Sequence, residues 1–264
     1  MKSWRELIKA QWSQQKFLCI GLDPELEKIP ERIKKGSIEE TIYTFNRSII
    51  DETHDLVCAF KPNSAFYEAQ GEEGMRALKS TIEYIRRVAP GVPVILDAKR
   101  ADIGNTNNGY VQAAFTWLGV DAITVHPYLG KEALQPFLDE KDKGIFVLCR
   151  TSNPGSGEFQ DTVIEGEPFF VRVARAFSTY ENCGLVVGAT YPHDIKKVRE
   201  VSDAPLLIPG IGTQGGDVAS SVAEAKDSHG GGFIISASRS IIFSDSPRSN
   251  AQELAGQIRD ALVA

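Results

Sequence analysis

Pro93-Val94-Ile95-Leu96-Asp97-Ala98-Lys99-Arg100-Ala101-Asp102 is the stretch that decides the fold. An aliphatic run without a polar break ends abruptly in alternating charge. Continuous apolar character means a strand covered on both faces, as in a parallel α/β sheet; a half-exposed antiparallel strand would alternate. Similar runs occur at Phe17 to Asp23, Leu56 to Pro62, Ala122 to Tyr128, Gly144 to Thr151, Cys183 to Ala189, Pro205 to Gly212 and Gly232 to Ser238, which makes eight in all. Between them lie apolar residues at helical spacing: Ile38, Ile42, Phe45 and Ile49; Met75, Leu78, Ile82 and Ile85; Leu254, Ile258 and Leu262. Weaker helical signals fall at Leu134 to Leu138 and Ile195 to Val198.

Strand then helix, repeated, predicts parallel pairing. Eight units fit a closed (β/α)8 TIM barrel better than an open sheet, whose edges would expose some of these strands. No Pro/Ser-rich linker divides the chain, so residues 1–264 are expected to form a single barrel domain. The connection from Ser152 to about Gly166 is long and rich in Gly, Ser and acidic residues, marking a functional or mobile loop.

In such a barrel the reactive groups lie at the carboxyl ends of the strands. The runs end in Asp23, Lys61, Asp97 with Lys99, His126, Thr151 with Ser152, Thr190, Gln214 and Arg239. Asp97 and Lys99 are two apart, so on a regular strand both would leave the same face with Cα atoms about 6.6 Å apart. Lys61 ends the neighbouring strand and Asp102 follows on the loop. At ~4 Å and an effective dielectric of ~20, one opposite-charge contact is worth about 4 kcal/mol before desolvation. A lysine flanked by carboxylates is expected to stay protonated. That suits a cation which stabilises developing negative charge and donates a proton. It does not suit a Schiff-base nucleophile, which needs a depressed pKa.

The seventh run leads into Pro209-Gly210-Ile211-Gly212-Thr213-Gln214-Gly215-Gly216 and the eighth into Ser238-Arg239-Ser240. Glycines let backbone N–H groups approach a phosphate, and an arginine can chelate two of its oxygens. Barrels commonly place a phosphate site after strands seven and eight. Gly210-x-Gly212-x-x-Gly215 also spells a dinucleotide fingerprint, but that motif needs further strands behind it and only one remains.

Composition sets the outer bounds. Of 264 residues 42% are apolar, and 29 Lys and Arg against 35 Asp and Glu give a net charge of -6. A folded core is expected, and nucleic acid is not an expected partner. The longest apolar stretches are strand-sized, so neither a signal peptide nor a membrane span is expected. Cys19, Cys58, Cys149 and Cys183 stand far apart and read as reduced, buried thiols of a cytoplasmic protein; no zinc or redox pair has that spacing. His54, His193 and His229 lack partners at metal spacing, and His126 reads as a hydrogen-bonded structural residue. No metal site is expected.

The string Asp97-Ala98-Lys99-Arg100-Ala101-Asp102-Ile103-Gly104-Asn105-Thr106 resembles the signature of the orotidine 5'-phosphate decarboxylases. Gly21-Leu22-Asp23-Pro24, Phe60-Lys61-Pro62-Asn63, Thr151-Ser152-Asn153-Pro154-Gly155, Pro209 to Gly216 and Ser238-Arg239-Ser240 are similar to family segments and stand in family order. The sequence departs at Ala101, where related bacterial sequences often have Gly, and aligns least between Asn153 and Phe169.

The resemblance implies cofactor-free decarboxylation of orotidine 5'-phosphate to UMP and CO2 in pyrimidine synthesis. Lys99 would protonate C6 of the pyrimidine, Asp97 would sit against the substrate carboxylate, Lys61 would hold the ribose and the charge array, and Asp23 would bind ribose hydroxyls. Asp102, Ile103 and Thr106 would reach the site of a second subunit, implying a homodimer. Ser152 would contact the pyrimidine, Gln214 and Arg239 would hold the phosphate, and Pro209 and Ser238 would complete the substrate-binding set. The alternatives are a magnesium-dependent sugar-phosphate decarboxylase or aldolase of the same superfamily, a Schiff-base aldolase, and a non-catalytic phosphate-ligand-binding barrel. The magnesium enzymes want a second carboxylate, generally Glu, where this chain has Lys61.

Overall fold

The computed structural model describes residues 2–34, 36–211 and 216–263. Its main sheet has eight parallel strands: β1 (Leu18–Gly21), β2 (Ala59–Lys61), β3 (Ile95–Arg100), β4 (Ala122–Val125), β5 (Gly144–Arg150), β6 (Cys183–Val187), β7 (Leu206–Pro209) and β8 (Phe233–Ala237). Each falls within or within one residue of a run read from the sequence. The hydrogen-bonded order is β2-β1-β8-β7-β6-β5-β4-β3. Bridges Phe60–Val94 and Asn63–Asp97 join its two ends, with Phe60 N–H donating to the Pro93 carbonyl at 3.1 Å and Asp97 N–H to that of Pro62 at 2.9 Å. The cylinder is closed, and the expected (β/α)8 barrel stands.

Strand periodicity divides the apolar residues between two cores. Leu18, Ile20, Phe60, Val94, Leu96, Ile123, Val125, Leu185, Ile208 and Ile235 belong to the larger cluster, shared with the helices. Their alternates Cys19, Ala59, Ile95, Ala122, Phe146, Val186, Leu207 and Ile234 form a second cluster that fills the bore, together with Trp4 and Ile8 of the helix Trp4–Trp12. Trp4 packs edge-on against Phe146 with ring centroids 5.2 Å apart, and it lies so close to Gly144 that a Cβ there would meet its ring at 2.8 Å. The first helix therefore plugs the amino-terminal end of the barrel.

The helical stripes lie on helices Ile38–Thr53, Gly71–Val88 and Pro247–Val263. Ser37 starts the first with a capping box completed by Glu40, and so Ile38, the first residue of its apolar stripe, is exposed rather than buried. The weaker signals become short helices, Gly130–Ala133 with Gln135–Leu138, and Pro192–Arg199. The long connection after β5 is not structureless: it folds into a 3-10 turn (Pro154–Ser156), a single helical turn (Gly157–Gln160) and a hairpin pairing Val163–Ile164 with Glu167–Pro168.

All four cysteines are buried and unpaired, and no helix among the described residues is long and apolar enough to cross a membrane. Because Trp4 is almost fully buried at one end of the bore, Trp4→Ala is expected to destabilise the fold by about 3–5 kcal/mol. A urea titration checks this, and an unchanged midpoint would mean that the plug contributes nothing.

Candidate active site

One residue pair beyond the apolar layer Ala59, Ile95 and Ala122, the same inward faces of β2, β3 and β4 carry Lys61, Asp97 and Thr124. A period of two makes them neighbours at one level of the bore. Asp97 is the hub. Its Oδ1 accepts from Lys99 Nζ at 2.7 Å and from Thr124 Oγ1 at 2.8 Å, while its Oδ2 accepts from Asn63 Nδ2 at 3.3 Å and lies 3.4 Å from Lys61 Nζ. Asp23 joins from β1, its Oδ1 accepting from Asn63 N–H at 3.2 Å.

The charges differ in exposure. The Lys61 and Asp97 side chains are 9% and 13% accessible, but that of Lys99 is 48% accessible, so its amine stands at the open mouth. Burial alone would push the Asp97 carboxyl up. Lys61, then Lys99 and the hydrogen bonds from Lys99 and Thr124, outweigh it and bring the pKa down to about 2. Burial likewise works against the Lys61 ammonium, yet Asp97 and then Asp23 hold its pKa above the ordinary lysine value. The array is thus one of fixed, mutually compensated charges.

Asp97 and Lys99 do not lie on a regular strand, contrary to the expectation from their spacing. The β3–β4 ladder is interrupted between Leu96 and Arg100, and Lys99 adopts φ 49°. Left-handed backbone in a non-glycine residue costs of order 1–3 kcal/mol and persists where its surroundings enforce it. Here Thr124 Oγ1 accepts from Lys99 N–H at 2.9 Å while donating to Asp97. The two charges meet because of this bulge, not through simple alternation. Thr124 and Asn63 join the array without being charged strand ends; the signals for them are that Thr124 is the polar interruption of an apolar run and that Asn63 stands in the Phe60-Lys61-Pro62-Asn63 segment.

Asp102 does not join the array of its own chain. Its carboxylate accepts from Ile103 N–H at 2.7 Å, and buried Asn107 fixes its backbone, accepting from Asp102 N–H at 2.9 Å and donating to the Asp102 carbonyl at 2.5 Å. Ile103, 63% exposed, and Thr106 face outward on the same corner.

The end expected to take a phosphate closes across β7, β8 and β1. Pro209 ends β7, and Gly210 turns with φ 102°. Ile211 and Gly216 pair, and Gly216 N–H donates to the Gly210 carbonyl at 3.2 Å. Gln214 lies outside the described residues. Ser238 Oγ donates to the Gly21 carbonyl at 3.2 Å, and a Cβ on Gly21 would lie 2.7 Å from that of Ser238 and 2.9 Å from Asp23 Oδ2. Glycine there lets Asp23 and Ser238 approach each other. Arg239 follows, exposed, at the start of the short helix Arg239–Ile242. Ser152 rides on β6, where a Cβ on Gly188 would meet its Cβ at 2.8 Å. His126 Nδ1 is buried without a hydrogen-bond partner among the described residues, contrary to the expected structural hydrogen bond.

No group of three or more His, Cys, Asp or Glu among the described residues is arranged to hold a metal ion. A cleft of about 710 Å³ at the amino-terminal end, beside Arg5, Trp12 and Asp203, is lined by none of the predicted site residues.

Fold and site together define a TIM-barrel enzyme that presents a Lys–Asp–Lys array at the carboxyl ends of its strands. Residues 16–254 match the model of the orotidine 5'-phosphate decarboxylase / HUMPS family. The chain is 48% identical over 249 residues to an orotidine 5'-phosphate decarboxylase of Herpetosiphon aurantiacus, covering 92% of this chain and 90% of that one. It is 44% identical over 256 residues to the protein of the same name from Cellvibrio japonicus, covering 95% and 93%. The structure of Leishmania donovani OMP decarboxylase superposes with a TM-score of 0.89 at 34% identity, over 99% of both chains. The chain belongs to the orotidine 5'-phosphate decarboxylase / HUMPS family.

Charge compensation sets a pH dependence. Since the Asp97 pKa lies below its unfolded value of about 3.9, its stabilisation is complete above that value and is lost as pH falls towards about 2. Carbon-13 NMR of the carboxyl is expected to place its midpoint near pH 2, and Lys61→Met should raise it while destabilising the fold by about 3–5 kcal/mol. A wild-type midpoint near 4 would contradict this electrostatic account.

Proposed function

We propose that this chain decarboxylates orotidine 5'-phosphate to UMP and CO2, without metal or organic cofactor, as the carboxy-lyase step of pyrimidine nucleotide synthesis. The observation that carries this reading is the buried carboxylate of Asp97 compensated by Lys61 and by the exposed ammonium of Lys99. The C6–carboxylate bond breaks, CO2 leaves, and the electron pair remains on C6. Lys99 stabilises that pair as it forms and then transfers its proton to C6, so that one proton is consumed per turnover.

One such contact supplies about 4 kcal/mol, against the 8–23 kcal/mol or so that enzymes of this kind must remove from the barrier. The remainder comes from preorganisation. Lys99 and Asp97 are locked by Thr124 and the bulge before substrate arrives, and phosphate binding at Gly210, Gly216 and Arg239 contributes energy remote from the reacting carbon. Asp23 and Lys61 take the ribose, while Ser152 meets the pyrimidine. Gln214 shares the phosphate with Arg239, and Pro209 and Ser238 complete the cradle.

A homodimer follows from the same reading. Asp102 makes no ion pair with its own Lys61 or Lys99, and with Ile103 and Thr106 it occupies an exposed corner, free to complete the array of a second copy. Buried free thiols support a cytoplasmic setting. The chain acts as one catalytic barrel domain over residues 1–264.

The magnesium-dependent alternative is disfavoured by charge. Lys61 occupies the end of β2, and both oxygens of Asp97 are already taken by cationic or neutral donors, a hard place for a divalent cation. Lys99→Ala is the test. Turnover of orotidine 5'-phosphate, followed by ultraviolet absorbance, is expected to fall by at least about 10²–10³-fold, while UMP still binds by calorimetry. Retained turnover in the variant would refute the assignment of Lys99.

A further inference from the structure

Arg150, the last residue of β5, is 4% exposed and takes no part in the charge array. Its guanidinium packs against two rings, with its central carbon 4.9 Å from the Tyr191 centroid and 5.7 Å from that of Phe170. The rest of its fork is fully engaged. Nε donates to Asp194 Oδ2 at 2.9 Å, Nη1 to Ser156 Oγ at 2.7 Å, and Nη2 lies 3.2 Å from the Asp161 carboxylate. Gln160 reinforces the link, accepting from Thr151 N–H at 2.9 Å and donating to Thr151 Oγ1 at 2.8 Å. One buried side chain thus holds the outgoing and returning legs of the loop after β5 to the helix Pro192–Arg199 of the next unit.

A buried ion pair adds little net stability, because desolvation offsets its Coulombic gain; its distinctive contribution is a fixed geometry. The planar, multidentate fork of arginine suits that role, and the compact ammonium of a lysine does not reproduce its spread of fixed donor directions. Ser152 stands two residues beyond Arg150, seated against Gly188 at the rim.

We propose that Arg150 is a positioning residue: by clasping Ser156 and Asp161 it holds Ser152 where the pyrimidine end of the substrate binds. This rests on the reading of Ser152 given above. The clasp acts on the affinity of the open site rather than on bond cleavage, because none of its members reaches Lys99 or Asp97.

Asp161→Asn is the informative variant. The Asp161 side chain is 52% accessible, so its substitution leaves the buried Arg150–Asp194 pair intact. Expected are a rise in KM for orotidine 5'-phosphate of about tenfold, kcat within about twofold, an unchanged urea midpoint, and faster amide exchange across residues 152–161. Arg150→Lys should raise KM similarly. Placed on Ser152→Ala, Asp161→Asn should add nearly nothing, since both act through one contact.

An active Asp161→Asn enzyme with unchanged KM, effects that multiply with those of Ser152→Ala, or unaltered exchange would each overturn the proposal. A wild-type protein that does not turn over the nucleotide would overturn the functional reading, and Ser152's role with it, while exchange would still report on the clasp itself.

Discussion

Asp97 is a carboxylate inside a barrel, and the site depends on how it is kept charged there. A lone buried anion would cost several kcal/mol. Lys61 and Lys99 remove that cost from opposite oxygens, with Asn63 and Thr124 taking further acceptor positions. The arrangement requires Lys61 to be buried and Lys99 to be anchored without being buried. Local backbone follows from the same demand: the left-handed turn at Lys99 and the break in the β3–β4 ladder bring the amine back onto the carboxylate while leaving it accessible.

The barrel supplies the level at which these groups meet. Its inner layer of Ala59, Ile95 and Ala122, sealed from below by Trp4 and Ile8, excludes water from beneath the array. On β2, β3 and β4 the next inward positions then project Lys61, Asp97 and Thr124. Across the mouth, Gly21, Gly188 and Gly216 are sites where any Cβ would collide with Ser238, Ser152 or Ala189. These close approaches draw the carboxyl ends of β1, β5, β6, β7 and β8 together at the mouth. Packing at the base and contact at the rim serve one geometry.

Much of this was legible in the chain itself. Strands buried on both faces leave continuous apolar runs, so all eight were found, and the charged residues ending them marked the mouth. Asp97, Lys99, Lys61 and Asp23 converge as expected. What escaped notice depends on tertiary partners. The first helix has a mixed surface, and nothing in Trp4 to Trp12 says that it plugs a bore. Arg150 follows six residues of an otherwise apolar strand, Gly144 to Cys149, and only the fold shows that Asp161, 11 positions away, and Asp194, 44 positions away, come back to it. The Lys99 turn was invisible because local spacing alone favours a regular strand, and Thr124, which enforces it, belongs to another strand.

In the proposed reaction two lysines, not a metal ion, supply the positive charge that decarboxylation needs. The most direct test of this is the rate of CO2 release from orotidine 5'-phosphate by the purified protein before and after exhaustive treatment with a chelator. Turnover at the same rate in both is expected. Activity abolished by the chelator and restored by magnesium, or none on this nucleotide under either condition, would contradict it.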